Sequence, residues 1–254
     1  MSDDAFVRIG GTVAHVTEVV LCRPPNNFFS ASMIDQLAGA WEQLDAHDET
    51  RVIVLRADGK HFCAGADFSG SSGPDETVNL YRAAVRLFRT RKPVVAAVQG
   101  AAIGGGLGVA LACDFRVAST GARLSANFAR LGFHHGFGLS VTLPRLVGEQ
   151  RAADLLYTGR RVDGSEAAAL GLVDRCVDPD VLVTASHELA ASIAESAPLA
   201  VESIRATLRA GLADRVAAAV EHERREQERL RSTRDFAEGV RATSERRSPS
   251  FERR

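Results

Sequence analysis

Apolar positions recur along this chain in two periods, near two and near three to four residues, and the alternation between them predicts a β/α order. Phe6–Ile9 and Val13–Leu21 alternate and are rich in β-branched residues, so with Gly10-Gly11 between them they predict a hairpin. Pro24-Pro25-Asn26-Asn27 ends that pattern. From Ser30 to Asp45 the apolar residues Met33, Leu37, Trp41 and Leu44 fall on one helical face. Arg51–Arg56 encloses the short buried strand Val52-Ile53-Val54-Leu55, and a Gly/Ser-rich loop spans 57–73. A helix over Asp75–Thr90 carries Leu80, Ala84, Leu87 and Phe88 on one side. Pro93–Val98 reads as a buried strand, Gly104-Gly105-Gly106 introduces a helix to Ala112, and Asp114–Ala118 is a further strand. Strand, helix, strand, helix, strand predicts stacked βαβ units with parallel pairing.

Past Gly148 the pattern becomes helical, over Glu149–Tyr157, Gly164–Leu170, Pro179–Ser196, Pro198–Ala210, Leu212–Arg231 and Thr233–Arg247. The expected organisation is a β/α core over residues 1–195 and a helical region over 196–254, with Ser196-Ala197-Pro198 as the junction because proline suits a helix start. The charged run Glu221–Arg231 alternates sign, which suits a solvated helix with paired charges rather than a nucleic-acid surface.

Composition narrows the function classes. With 254 residues, 45% hydrophobic and 25% charged, the chain can bury a sizeable core. The net charge of −1 offers no global positive field for nucleic acid or an anionic membrane. No apolar run reaches membrane-spanning length, and Met1-Ser2-Asp3-Asp4 does not open a signal peptide, so a cytoplasmic protein is expected. Cys22, Cys63, Cys113 and Cys176 lack zinc or disulfide spacing and are expected to be ordinary thiols, with no metal site.

The glycine triplet carries the first chemical signal. Gly104 and Gly106 are followed five residues later by Val109 and Leu111, so a dinucleotide fingerprint fails, and no lysine completes a phosphate loop. Glycines at a strand-to-helix junction still allow backbone to approach a ligand, and the first N–H groups of the helix lack internal acceptors. A second small-residue turn, Ala64-Gly65-Ala66, follows the strand Arg51–Arg56. Two such loops after parallel strands can aim two N–H groups at one oxygen, forming an oxyanion hole.

Phe62-Cys63-Ala64-Gly65-Ala66-Asp67, followed by Gly104-Gly105-Gly106 and Cys113-Asp114, resembles the crotonase (enoyl-CoA hydratase/isomerase) superfamily. The resemblance extends through Arg23–Asn27, Lys92–Val98, Thr158–Arg161, Gly171–Asp174, Ala197–Ala200 and Arg247–Phe251. It implies an α/β fold, a spiral of ββα and βαβ turns with a C-terminal helical trimerisation appendage. It also implies an acyl-CoA substrate, a homotrimer or dimer of trimers, and no tightly bound cofactor, coenzyme A arriving as part of the substrate. By that resemblance the oxyanion hole is formed by the N–H groups of Ala64 and Gly105. Gly65, Ala66, Asp67, Gly104 and Phe128 join the substrate site, and Arg23, Pro25 and Asn26 lie in the coenzyme-contact turn. For Asp67 a turn cap is the competing role.

Two positions depart from the pattern. The glutamates that a hydratase of this family uses for proton transfer correspond to Gly108 and Phe128, neither of which can move a proton. The adjacent His134 and His135, in a glycine-flanked loop, are therefore the candidate acid or base, with His61 a weaker one. Two functions stay open: a crotonase-type enzyme working through a stabilised enolate, and an acyl-CoA binding or carrier protein of the same fold.

Overall fold

The structure, a computed structural model, describes residues 5–66 and 74–254. Nine strands and ten helices follow one another among those residues. They are β1 (Val7–Val13), β2 (Val16–Leu21), α1 (Ala31–Asp45), β3 (Val52–Ala57), α2 (Pro74–Leu87), β4 (Val94–Val98), β5 (Ala101–Ile103) and α3 (Gly105–Ala112). Then come β6 (Phe115–Ser119), β7 (Arg123–Ser125), α4 (Leu139–Val147), α5 (Glu149–Thr158), β8 (Val162–Asp163), α6 (Gly164–Leu170) and β9 (Arg175–Val177). The chain ends with α7 (Leu182–Ala194), α8 (Pro198–Leu208), α9 (Leu212–Arg231) and α10 (Arg234–Ser244). A 3-10 turn over Asn127–Leu131 precedes α4.

The strands form a six-stranded sheet in the order β1-β2-β3-β4-β6-β9 and a three-stranded sheet β5-β7-β8. All pairs from β2 to β9 in the large sheet are parallel, as the βαβ pattern predicts. After β4 and again after β6 the chain steps into the small sheet, placing β5 beside β7 in parallel, so successive turns of a spiral stack on one another.

Period-two patterning separates the two faces of the large sheet. Ile53, Leu55, Val94, Ala96 and Val98 face one core with α1, α2 and α3. Val52, Val54, Val95, Ala97 and Val117 face a second, closed by Leu182, Ala190 and Ala194 of α7. Helix α1 starts where the Ser30 hydroxyl accepts from the Met33 N–H, and its buried stripe includes Met33, Leu37, Trp41 and Leu44.

Two expectations need correction. The hairpin turns at Ala14-His15, both with positive φ (48° and 66°), with Val13 opposite Val16. This is the two-residue turn whose twist matches paired strands. Gly10-Gly11 instead lie within β1, where the register shifts between Ile9 and Thr12. Helix α4, unexpected from the sequence, forms before Gly148 despite Pro144.

The last helices do not stand apart from the core. Asp114, from the Cys113-Asp114 motif, accepts from the Val94 N–H and from Arg205 and Arg209, fixing α8 to the sheet. Leu212, Val216 and Val220 of α9 belong to the larger core, and Gly239 of α10 packs on the backbone of Leu131. Leu199, Ile204 and Leu208 of α8 stay exposed. No helix among the described residues is long and apolar enough to cross a membrane.

Candidate active site

The chain leaves β3 and β4, neighbours in the large sheet, at the same end, where ligands sit in open α/β sheets. After β3, Cys63 forms a parallel bridge with Ala102 of β5. The Cys63 N–H donates to the Ala101 carbonyl at 2.9 Å, and Ile103 donates back to Cys63 at 3.0 Å. After β4, the chain passes through β5 and turns at Gly104, whose φ of 57° and ψ of −120° suit only glycine. Gly105 is the first residue of α3, so its N–H has no acceptor within the helix, and no backbone carbonyl of the described residues accepts it.

The two loops approach closely because α3 begins with glycines. A Cβ on Gly106 would sit 2.2 Å from the Cys63 carbonyl oxygen, and one on Gly105 would sit 2.3 Å from the Phe29 ring. The glycines thus let the helix start press directly against the Cys63–Ala66 segment. Its dipole adds positive character at the same place.

Between the loops lies a narrow cavity of about 90 Å³. Ala64, Gly65, Ala66, Gly104 and Gly105 form one side of it, and Phe29, Leu80, Phe128, Leu131 and Phe133 form an apolar wall. Phe128 stands tilted against Phe133, with ring centres 5.4 Å apart. Polar side chains reach the cavity from Thr77 and Tyr81 of α2, from Asn127, and from Gln227 and Arg231 of α9. The Tyr81 hydroxyl donates to Gln227 Oε1 at 2.7 Å, and Gln227 Nε2 donates to the His134 carbonyl at 2.9 Å. Burial, helped by the nearby Glu223 carboxylate, pushes the Tyr81 hydroxyl pKa up, so it is a neutral donor. A Cβ at Gly136 would lie 2.0 Å from that hydroxyl, which gives this loop glycine a packing reason.

The backbone donors differ from the expected pair at one position. The Ala64 N–H donates to the Asn26 carbonyl at 2.9 Å, so it is already spent on the loop. At Gly65 φ is 110°, and the Gly65 carbonyl accepts from the Phe29 N–H at 3.0 Å. Ala66 pairs with Phe29 in a parallel bridge whose hydrogen bond runs from the Phe29 N–H to the Gly65 carbonyl, a pattern in which the Ala66 N–H itself turns away from Phe29.

The histidines stand elsewhere. His134 and His135 line a separate cavity of about 290 Å³ that also meets Leu156 and Tyr157, and Phe128 and Phe133 form part of both cavities. Their rings stack 4.1 Å apart, with His222 edge-on to His134 at 5.9 Å. His134 Nδ1–H donates to the His135 carbonyl. The Ser140 hydroxyl donates to Glu223 Oε1 at 2.7 Å, so it accepts at 2.8 Å from His135 Nε2–H. Neither histidine lines the cavity at Gly105, which the sequence reading expected them to reach. His61 likewise serves structure, its Nδ1 accepting from the Ala101 N–H at 3.1 Å.

The turn at 23–27 packs outside the 57–65 loop. The Pro25 carbonyl accepts from His61 N–H, and the buried Asn27 amide donates to the Asp58 and His61 carbonyls. Arg23 donates to the Phe28 carbonyl at 2.8 Å and lies over the Phe6 ring. Pro25 is exposed and Asn26 half-buried, and neither these nor Arg23 line the cavity. Asp67 lies outside the described residues. Gly108 is fully buried one helical turn beyond Gly105, with the Phe137 side chain packed against it. Among the cavity residues that sequence reasoning missed are Thr77, Tyr81, Gln227 and Arg231, each on an ordinary amphipathic or charged helix, and Asn127 in the 3-10 turn.

Comparison with known proteins converges on one family. The family described as enoyl-CoA hydratase/isomerase matches residues 11–254. The (E)-benzylidenesuccinyl-CoA hydratase of Thauera aromatica is 33% identical over 249 residues, covering 93% of this chain and 95% of that protein. An enoyl-CoA hydratase-type protein of Thermus thermophilus is 39% identical over 253 residues, covering 93% of this chain and 97% of the relative. The crystal structure of an enoyl-CoA hydratase/isomerase from Pseudoalteromonas atlantica T6c superposes with a TM-score of 0.86 at 31% identity, covering 98% of this chain and 100% of that one.

Proposed function

The chain belongs to the enoyl-CoA hydratase/isomerase family, and from that premise we propose that it is an enzyme acting on an acyl- or enoyl-CoA thioester through an enolate-like state. The carrying observation is the Gly105 N–H, which opens α3 at the cavity with no acceptor among the described backbone carbonyls. The thioester oxygen sits between this donor and the Ala66 N–H, the donor that replaces Ala64. Charge grows on that oxygen as the α-carbon becomes enolate-like, so both donors bind the transition state more strongly than the ground state. The Pro24–Asn27 turn meets coenzyme A through its backbone, and the Phe128 ring lines the acyl group. Coenzyme A enters with the substrate, no further cofactor is bound, and the enzyme works in the cytoplasm as a homotrimer or dimer of trimers.

Classical hydration is weak in this reading. Gly108 and Phe128 occupy the two glutamate positions, and among the described residues the cavity presents no carboxylate or imidazole. The Phe137 side chain packed on Gly108 favours a second reading, an acyl-CoA binding protein without turnover. Calorimetry with an acyl-CoA and its matching free acid tests the shared premise: thioester binding is expected, and equal affinities overturn it. Turnover on a panel of short acyl- and enoyl-CoA substrates separates enzyme from binder.

A further inference from the structure

We propose that this site selects a short acyl-CoA whose acyl group carries a second, ionised carboxylate, held by Arg231 with Asn127 beside it. The proposal rests on the acyl-CoA reading above and adds the class of acyl group. Arg231 ends α9 and lines the same cavity as Gly105 and Phe128. Its guanidinium lies 5.9 Å from the centre of the Phe133 ring, a cation–π contact that holds it against the apolar wall. Two other arginines of α9 are neutralised on their own helix, Arg224 by Glu221 and Glu228 and Arg229 by Glu226. No carboxylate of the described residues reaches Arg231, and among them it is the one permanently charged side chain lining the cavity.

A half-buried cation beside aromatic rings, with no counter-charge among the described residues, favours an anion from the ligand. The planar guanidinium matches a carboxylate through two parallel hydrogen bonds. Asn127 stands next to Gly104, its Oδ1 3.4 Å from where a Cβ on that glycine would be, and its side chain makes no hydrogen bond among the described residues. Its amide N–H group supplies a second donor to the same carboxylate. The cavity, about 90 Å³ against the roughly 300–1,000 Å³ of drug-sized ligand sites, fits a short chain. The phosphates of coenzyme A are the other anions of such a ligand. Arg231 shares its cavity with the proposed thioester end, whereas those phosphates lie at the far end of the pantetheine arm.

The test is calorimetric affinity for glutaryl-CoA and butyryl-CoA, in the full chain and in Arg231→Met, which keeps an unbranched apolar stem against Phe133. The unmodified protein is expected to prefer glutaryl-CoA by at least about tenfold, in keeping with a charge-assisted pair in a partly desolvated site. Arg231→Met should erase that preference and leave butyryl-CoA affinity within about twofold, a control that also reports an intact fold. Equal affinities in the unmodified protein, or a variant that weakens both ligands alike, as loss of a phosphate contact or of folding would do, overturn the proposal. Failure of both thioesters to bind overturns the acyl-CoA reading as well, whereas binding without preference overturns this proposal alone.

Discussion

A Cβ atom on Gly108 would lie 2.6 Å from Cβ of Phe137, closer than side chains approach one another. Phe137 is 1% exposed, has a positive φ of 63°, and stands edge-on to Phe29 with ring centres 6.1 Å apart. The ring therefore fills the space that a hydratase glutamate would need at position 108. Gly108→Ala should lower stability by about 1–3 kcal/mol, the usual cost of overpacking a filled core. Gly108→Glu should lower it more and give no gain in hydration of a short enoyl-CoA. Denaturant midpoints and hydration rates check this pair. A Gly108→Glu protein as stable as the parent, and faster at hydration, would show that the ring moves aside freely.

Helix α4 begins at Gly138, a residue with no side chain to cap it, and α9 supplies the cap instead. Glu223, fully buried, accepts from the Gly138 N–H at 2.8 Å, the Ser140 N–H at 3.0 Å and the Ser140 hydroxyl at 2.7 Å. Glu223→Ala strands two backbone donors and opens a void, so a loss on the order of 2–4 kcal/mol is expected. Glu223→Gln, which keeps two acceptor lone pairs but loses charge, should cost less. Chemical unfolding of both variants decides it, and a neutral Glu223→Ala would refute the cap.

Sequence patterning foretold strands β2, β3, β4 and β6 and most helices, because their cores are built from periodic apolar residues over many positions. Helix α6 begins and ends where the sequence places it, at Gly164 and Leu170. Strands β5, β7, β8 and β9 contain three, three, two and three residues, too few for a period-two pattern to register. The Ala14-His15 turn was hidden because neither residue favours positive φ, whereas the Gly10-Gly11 pair four residues earlier does. Gly105 was legible from the helix-start chemistry of its triplet. The spent Ala64 donor was not, because it depends on the Asn26 carbonyl, brought alongside by the fold. Tyr81 and Gln227 are 146 residues apart, and only the return of α9 over α2 joins them. Conversely, glycines flanking His134 and His135 suggested close approach to a ligand, and they serve instead to admit Tyr81 and to start α4.

Burial pushes the His135 imidazole down to about 4, and repulsion from His134 and His222 adds to it. Glu223 is 3.9 Å away, but the Ser140 hydroxyl stands between them and bonds the neutral ring. In the unfolded chain the same group titrates near its ordinary value of about 6.5. Between those two values the unfolded chain binds a proton that the folded chain refuses. Stability should therefore fall as pH drops from about 6.5 to about 4 and lose no more from this group below that, a total on the order of 3 kcal/mol. His135→Gln should flatten that slope in guanidinium titrations at pH 7, 5.5 and 4. An unchanged slope in the variant would assign the acid sensitivity to other groups.

The exposed apolar residues of α8 make a sharper oligomerisation prediction than the whole C-terminal region does. Leu212, Val216 and Val220 are already covered by this chain's own core, whereas Leu199, Ile204 and Leu208 are 79%, 60% and 69% exposed. The latter three should lie in the contact between copies if the protein is a trimer or a dimer of trimers. Ile204→Glu with Leu208→Glu should then yield a folded, smaller species in light scattering at micromolar concentration. A parent protein that is monomeric under those conditions contradicts the assembly, and an unaffected oligomer in the double variant places the contact elsewhere.

The oxyanion role of Gly105 calls for a test that separates its N–H from its lack of a side chain. Gly105→Ala alone would place a methyl group 2.3 Å from the Phe29 ring, so lost activity there reports only a clash. Phe29→Ala removes that ring and provides a common background. Within it, Gly105→Ala keeps the N–H and Gly105→Pro removes it, at a first helical position where proline is well accepted. Melting temperatures show whether both double variants fold. With folding matched, the alanine variant should turn over acyl-CoA near the rate of the Phe29→Ala background. The proline variant should be slower by roughly a hundred- to a thousandfold, the usual consequence of losing one donor to a developing oxyanion. Equal turnover in the two would mean that the Gly105 N–H does not face the thioester oxygen, and that the charge is stabilised elsewhere along the Ala66 loop.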